Sequence, residues 1–110
     1  MKAIIQQRYG TPADLRLGEV EKPLPAEDEV QIKVCAVSIN GSDWEGLRGS
    51  PLYARIGGLR RPSNPILGSD IAGRVETVGP NVRDFAPGDE VYGEMAGYRG
   101  GFAEYACAPE

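Results

Sequence analysis

Fifteen glycines and nine prolines, spread along a chain of 110 residues, constrain what it can fold into more than any other feature. Proline removes a backbone donor and fixes φ, and glycine in an element interior costs backbone entropy, so no long helix survives between them. What remains are short segments with a period of two. The clearest runs from Val30 to Val37, where Val30, Ile32, Val34 and Ala36 share one face and Gln31, Lys33 and Cys35 the other. The first set is expected inward. The same reasoning predicts strands at Lys2 to Gln6, Leu15 to Val20, Ile71 to Val78, Glu90 to Tyr92 and Phe102 to Cys107. Gly79-Pro80-Asn81 and Pro87-Gly88-Asp89 read as turns, and Val20 leaves the face that Leu15 and Leu17 share, which predicts a bulge near Gly18. Six short strands predict a mainly β domain, a small barrel or sandwich.

One short helix is expected after the best strand. Ser42 as N-cap with Glu45 three residues on forms a capping box, and Gly49 ends the helix. A strand-to-helix junction of this kind projects Asn40, Asp43 and Trp44 from a rigid support, a good location for a site. Two readings are open here. Either these residues serve a site, or Asn40 and Asp43 bond local backbone while Trp44 fills the core. The stretch from Ser50 to Pro65 is the least regular and is expected to form a mobile loop. Tyr53, Tyr92 and Tyr98 lie in or near irregular segments and are candidate proton donors.

Composition removes several function classes. A net charge of −4 gives no electrostatic footprint for nucleic acid, and Arg55, Arg60 and Arg61 sit among Gly and Pro as a solvated loop would. No apolar run approaches the roughly 20 residues that cross a bilayer, and no signal peptide is visible after Met1, so a cytoplasmic protein is expected. Cys35 and Cys107 stand far apart and are expected to be buried free thiols. The absence of histidine excludes imidazole base catalysis and a Ser-His-Asp triad within the chain. Two cysteines without CxxC spacing cannot make a tetrahedral zinc site by themselves. Glu19, Glu21, Glu27, Asp28 and Glu29 read as a solvated acidic edge. Neither GxGxxG nor a P-loop occurs, so the chain carries no pyrophosphate cradle; Gly100 and Gly101 read as a turn.

The motifs Met1-Lys2-Ala3-Ile4 with Tyr9-Gly10, Pro23 to Val34, Ser38-Ile39-Asn40-Gly41-Ser42-Asp43-Trp44, Leu67-Gly68-Ser69-Asp70-Ile71-Ala72-Gly73, Val78-Gly79-Pro80-Asn81-Val82, Pro87-Gly88-Asp89-Glu90-Val91-Tyr92-Gly93 and Gly101-Phe102-Ala103-Glu104-Tyr105 follow one another in a family's order. Over essentially its whole length the chain resembles the GroES-like N-terminal domain of medium-chain dehydrogenase/reductases. The resemblance implies a partly open β-barrel with one or two short helices over residues 1–110, and a Rossmann cofactor domain outside them, in cis or as a separate chain. In zinc alcohol dehydrogenases a cysteine stands at the position of Asn40 and a histidine at that of Ser69. Their replacement, with Asn-x-x-Asp-Trp at 40–44, is similar to the zinc-free quinone oxidoreductase branch.

That branch implies NADPH, or NADH, as cofactor, no zinc, and hydride transfer to quinones, enones or related carbonyl compounds. The resemblance makes Asn40 a hydrogen-bond donor to the developing oxyanion, with Asn40, Asp43 and Trp44 near the cofactor and Tyr53 a proton donor or substrate-lining residue. For Ser69 and Asp70 it implies the neighbourhood of the former metal site, and for Asp70 an anchoring role is equally open. The chain alone is expected to be inactive and to bind NADPH weakly or not at all. A homodimer is one open possibility, and no nucleic-acid or membrane partner is expected. The competing readings are a free-standing GroES-like binding or assembly module, because fold does not fix function, and half of a split enzyme.

Overall fold

A computed structural model describes residues 1–50, 52, 58–60, 62 and 64–110. Tyr53, and much of the irregular stretch from Ser50 to Pro65, lie outside the described residues. The described residues form six strands in two antiparallel sheets. Strands β1 (Lys2–Gln6) and β2 (Leu15–Glu19) pair with each other; β3 (Glu29–Ser38), β4 (Asp70–Val78), β5 (Glu90–Glu94) and β6 (Tyr105–Pro109) form the second sheet in the order β5-β4-β3-β6. Isolated bridges Ala3↔Ala103 and Ile5↔Ile66 tie β1 to the segments leading into β6 and β4. Two sheets stitched by bridges, with β5 and β6 as edge strands among the described residues, make the mainly β architecture that the alternating segments predicted, without the closed barrel, as the family resemblance implied.

Alternation explains the core only in part. Val30 and Ile32 are buried as expected and pack with Ile71, Val75, Met95 and Ala106, each large aliphatic side chain contributing about 1.5–3 kcal/mol. The register of β3 against β4 slips between Gln31 and Ile32 and again between Val34 and Ala36. Beyond the second slip Ala36 is exposed rather than inward, and Gln31, expected outward, is 2% exposed. Its amide is satisfied there: Nε2 donates to the Pro23 carbonyl at 2.7 Å and Oε1 accepts from Thr77 Oγ1 at 3.1 Å. The close approach of β4 to β3 requires Gly73, where a Cβ would stand 2.1 Å from the Lys33 carbonyl oxygen.

Two further expectations are corrected. Strand β2 runs without a bulge, Lys2↔Glu19 through Gln6↔Leu15. Leu17 faces solvent at 65% exposure, and the Ile5 side chain lies over Gly18. The cysteines are free, but Cys35 is exposed and Cys107 half-buried, because Cys35 follows Lys33 on the outer side of β3. Burial, and then the charge of Glu29, push the Cys107 thiol up to about 11. Among the described residues no helix is long and apolar enough to cross a membrane.

The single α-helix among the described residues, α1 (Gly41–Arg48), follows β3. Its N-cap is Asn40 rather than Ser42, and the residue at the third helical position is Asp43 rather than Glu45. The Asn40 N–H donates to Asp43 Oδ2 at 3.0 Å, and an acidic side chain in the first turn also suits the helix dipole. The helix ends where expected, at Gly49, whose φ of 67° and ψ of 28° place it in the left-handed region. There its N–H donates to the Glu45 carbonyl at 2.8 Å.

Candidate functional site

The pairing of β3 with β4 in the register Ser38↔Asp70 brings two distant segments together. Asn40 leaves the end of β3 while Ser69 and Asp70 open β4, and α1 rises from the same corner. Ser69 is 1% exposed, and its carbonyl is held by the Met95 N–H at 2.6 Å, so its hydroxyl is presented from fixed backbone.

Asn40 is the hub. Its Nδ2 donates to Asp70 Oδ2 at 2.8 Å and to Ser69 Oγ at 3.2 Å. Its Oδ1 accepts from Ser42 Oγ at 2.6 Å and from Ser69 Oγ at 3.3 Å, and the two serine hydroxyls stand 3.2 Å apart. Ser38 Oγ donates to Asp70 Oδ2 at 3.3 Å. Asp70 is therefore an anchor for the amide as well as a neighbour of the site. The bonds to Ser69 are long: 3.2 Å is the upper end of the usual range for the Nδ2 donor, and 3.3 Å lies beyond it for a hydroxyl donor.

Asp43 stands behind the hub at 3% exposure. Its Oδ2 holds the Asn40 N–H, whereas its buried Oδ1 accepts no hydrogen bond. Trp44 does not fill the core: it is 48% exposed, and its ring packs against the Arg48 guanidinium at 5.0 Å. Of the four residues singled out in the sequence, Asn40, Asp43 and Trp44 share the first turn of α1 and its cap, and Tyr53 lies outside the described residues. Tyr92 is 91% exposed on β5 and Tyr98 55% exposed, neither making a hydrogen bond to the Asn40 cluster.

Sequence reasoning missed the roles of Ser38 and Ser42 in this cluster, and missed Gln6 and Arg99 behind it. Ser42 was read as a cap, although a serine two residues after a polar strand end is also placed to bond that residue's side chain. Gln6 is fully buried and Arg99 half-buried, and burial lowers the Arg99 pKa against the opposing charges of Tyr9 and Asp43. Neither carries a local sequence signal.

The corner offers one carboxamide, three hydroxyls and carboxylates. Such groups have the chemistry to orient and donate to an oxygen-bearing ligand; they lack the thiolate and imidazole donors that tetrahedral zinc prefers. Among the described residues no three His, Cys, Asp or Glu gather in a way that could hold a metal ion.

Residues 26–110 match the family described as Alcohol dehydrogenase GroES-like domain. The chain is 36% identical to the chloroplastic quinone-oxidoreductase QR1 of Triphysaria versicolor, over all of the chain and 33% of that protein. Among solved structures it is similar to the quinone oxidoreductase from Coxiella burnetii, with a TM-score of 0.89 and 32% identity over 99% of the chain and 34% of that protein. It is also similar to the Escherichia coli quinone oxidoreductase complexed with NADPH, with a TM-score of 0.82 and 30% identity over 99% of the chain and 31% of that protein. The chain thus spans about a third of the length of the proteins it matches. With its sheet order, its helix after β3 and its motifs all in place, the chain belongs to the alcohol dehydrogenase GroES-like domain family, and its relatives include quinone oxidoreductases of the medium-chain dehydrogenase/reductase class.

Proposed function

We propose that these residues form the substrate-side domain of a zinc-independent, NAD(P)H-dependent oxidoreductase that reduces quinones, enones or related conjugated carbonyl compounds, with a Rossmann domain supplying the cofactor's main binding surface. The observation that carries this reading is the Asn40 carboxamide. One of its N–H bonds is firmly held by Asp70 at 2.8 Å and the other weakly by Ser69 at 3.2 Å. A conjugated carbonyl gains negative charge on oxygen as hydride reaches its far end, and a donor already aimed and only loosely engaged stabilises that charge.

The nicotinamide cofactor, when bound, supplies the hydride. Asp43 and Trp44 fit its presence. Asp43 Oδ1 is a buried acceptor without a donor, which a ribose hydroxyl would reach only if the residues covering it moved. Because Asp43 is covered, its steadier contribution is to fix the Asn40 backbone and thus the amide. Trp44 offers a half-exposed aromatic wall to an apolar acceptor or to the nicotinamide ring. Ser42 donates its hydroxyl to Asn40 Oδ1, and the Ser69 hydroxyl is free to donate to that oxygen or to Ser42, which keeps Oδ1 occupied so that Nδ2 faces the acceptor. Tyr53 stays a candidate proton donor. Two unpaired thiols support a reducing compartment such as the cytoplasm.

The test is a pair of measurements. Calorimetry on the 110-residue chain should give no tight binding of NADPH, while the complete protein should oxidise NADPH in the presence of a simple benzoquinone, without added metal and after treatment with a chelator. Tight NADPH binding by the chain alone, or activity lost to the chelator and restored by zinc, would contradict the proposal.

A further inference from the structure

Arg99 joins three segments that are far apart in the sequence. Its Nη1 donates to Gln6 Oε1 at 2.9 Å and to the Asn64 carbonyl at 3.1 Å, and its Nη2 donates to the Gly46 carbonyl at 2.9 Å. Gln6 completes the junction through Nε2, which donates to the Leu47 carbonyl at 2.8 Å and the Gly46 carbonyl at 3.2 Å. The Gly10 N–H adds a bond to the Leu47 carbonyl at 2.8 Å. The last carbonyls of a helix lack partners within it and carry partial negative charge, so a half-buried cation with a donor fork suits them doubly.

The carboxyl end of α1 is thus clamped by a guanidinium, a side-chain amide and a peptide N–H, and its amino end carries Asn40 and Trp44. A helix of eight residues is about 12 Å long and does not hold together alone in water, so it stands wherever its anchors put it. The Asn40 to Ser69 bonds at 3.2 and 3.3 Å have little slack, and a small displacement of α1 breaks them.

We infer that Arg99 is a positioning residue whose fork fixes the stance of α1 and so holds the Asn40 carboxamide in register with Ser69 and Asp70. As a contribution to catalysis this rests on the oxidoreductase reading; as a statement about α1 it stands on the hydrogen bonds alone. Lysine keeps the charge but donates from a point and cannot span Gln6, Asn64 and Gly46 together, so it does not replace arginine here.

The test is the amide spectrum of the isotope-labelled chain carrying Arg99→Lys or Arg99→Met. The Asn40 side-chain and Trp44 indole resonances should move in both variants, while Gly88, in the turn before β5, stays at its wild-type position. Should the methionine variant fail to fold, Gly46→Ala gives a second disturbance of the same clamp, since its methyl would stand 3.3 Å from Arg99 Nη2 and 3.1 Å from Leu67 Cδ2. Unmoved Asn40 and Trp44 resonances, or a shift of Gly88 along with them, would overturn the inference. None of these readouts uses substrate, so an inactive protein with a responsive α1 would fail the oxidoreductase reading and leave the positioning role intact.

Discussion

Asn40 Nδ2 and Asp70 Oδ2 meet at 2.8 Å, joining the residue that caps α1 to the first residue of β4. Removing the carboxylate with Asp70→Ala leaves Ser69 as the remaining acceptor for the amide and deprives Ser38 of its partner. A bond to a charged group at a half-buried site is worth about 1.5–3 kcal/mol, and partial solvent access brings the expected loss to the lower end, about 1–2 kcal/mol. Urea unfolding of Asp70→Ala should show a lower midpoint with an unchanged slope; a midpoint equal to wild type would mean that the contact is replaced by water at no cost.

Asp43 is the more sensitive carboxylate because it is buried and holds the Asn40 N–H. Asp43→Ala strips the cap of that partner and should destabilise the chain by about 1–3 kcal/mol. Asp43→Asn keeps an oxygen for the Asn40 N–H but turns the orphan position into a donor with no acceptor, so it should not restore wild-type stability. Thermal unfolding of the two variants side by side decides the point, and full rescue by asparagine would show that the orphan oxygen has no structural consequence.

The cysteines should differ sharply in reactivity. Cys107 is half-buried with its thiol pushed up to about 11 by burial and by Glu29, so near pH 8 only about one in a thousand is ionised. Cys35 is exposed on the outer side of β3. Alkylation of the folded chain followed by mass spectrometry should place the first label on Cys35, with Cys107 reacting fully only after unfolding. Equal labelling rates would contradict the burial of Cys107.

Acid should weaken the fold through exposed carboxylates that serve as local caps. The Glu110 carboxylate accepts the Asp84 and Arg83 N–H groups at 2.7 and 2.6 Å, and these bonds hold its pKa below its ordinary 4.5. Asp14 is likewise held below 3.8, first by the Thr11 N–H and then by Arg8. A depressed carboxylate stabilises the folded state fully above its unfolded value and loses that contribution as pH falls through the folded one. The urea midpoint should therefore begin to fall as pH drops below 4.5, and Glu110→Gln should flatten that fall. An unaltered acid profile in the variant would remove Glu110 from the account.

Much of the fold was legible because most strands alternate cleanly between turn residues. Lys2–Gln6 and the cores of β3 and β4 stand where the pattern put them. The pattern failed where tertiary contacts override it. The break in alternation between Leu17 and Val20 suggested a bulge that the unbroken β1–β2 register does not contain, and the register slip beside Gln31 accompanies its burial. At the site, Ser42-x-x-Glu45 and Asn40-x-x-Asp43 are capping patterns offset by two residues. What selects the second is the pair of bonds from Asn40 to Ser69 and Asp70, some 30 residues away, which no local window contains. Arg99 was invisible for the same reason, since its partner Gln6 lies 93 residues earlier.

In the proposed reaction the Asn40 carboxamide stabilises the oxygen of an acceptor during hydride transfer. Single-turnover oxidation of NADPH by a benzoquinone, followed in the complete protein with and without Asn40→Ala, tests it most directly. The account predicts a fall in the rate of the chemical step of about a hundredfold, the scale seen when one oxyanion donor is removed, with NADPH affinity essentially unchanged. A variant that transfers hydride at the wild-type rate, or that loses rate only in proportion to lost NADPH binding, would contradict it.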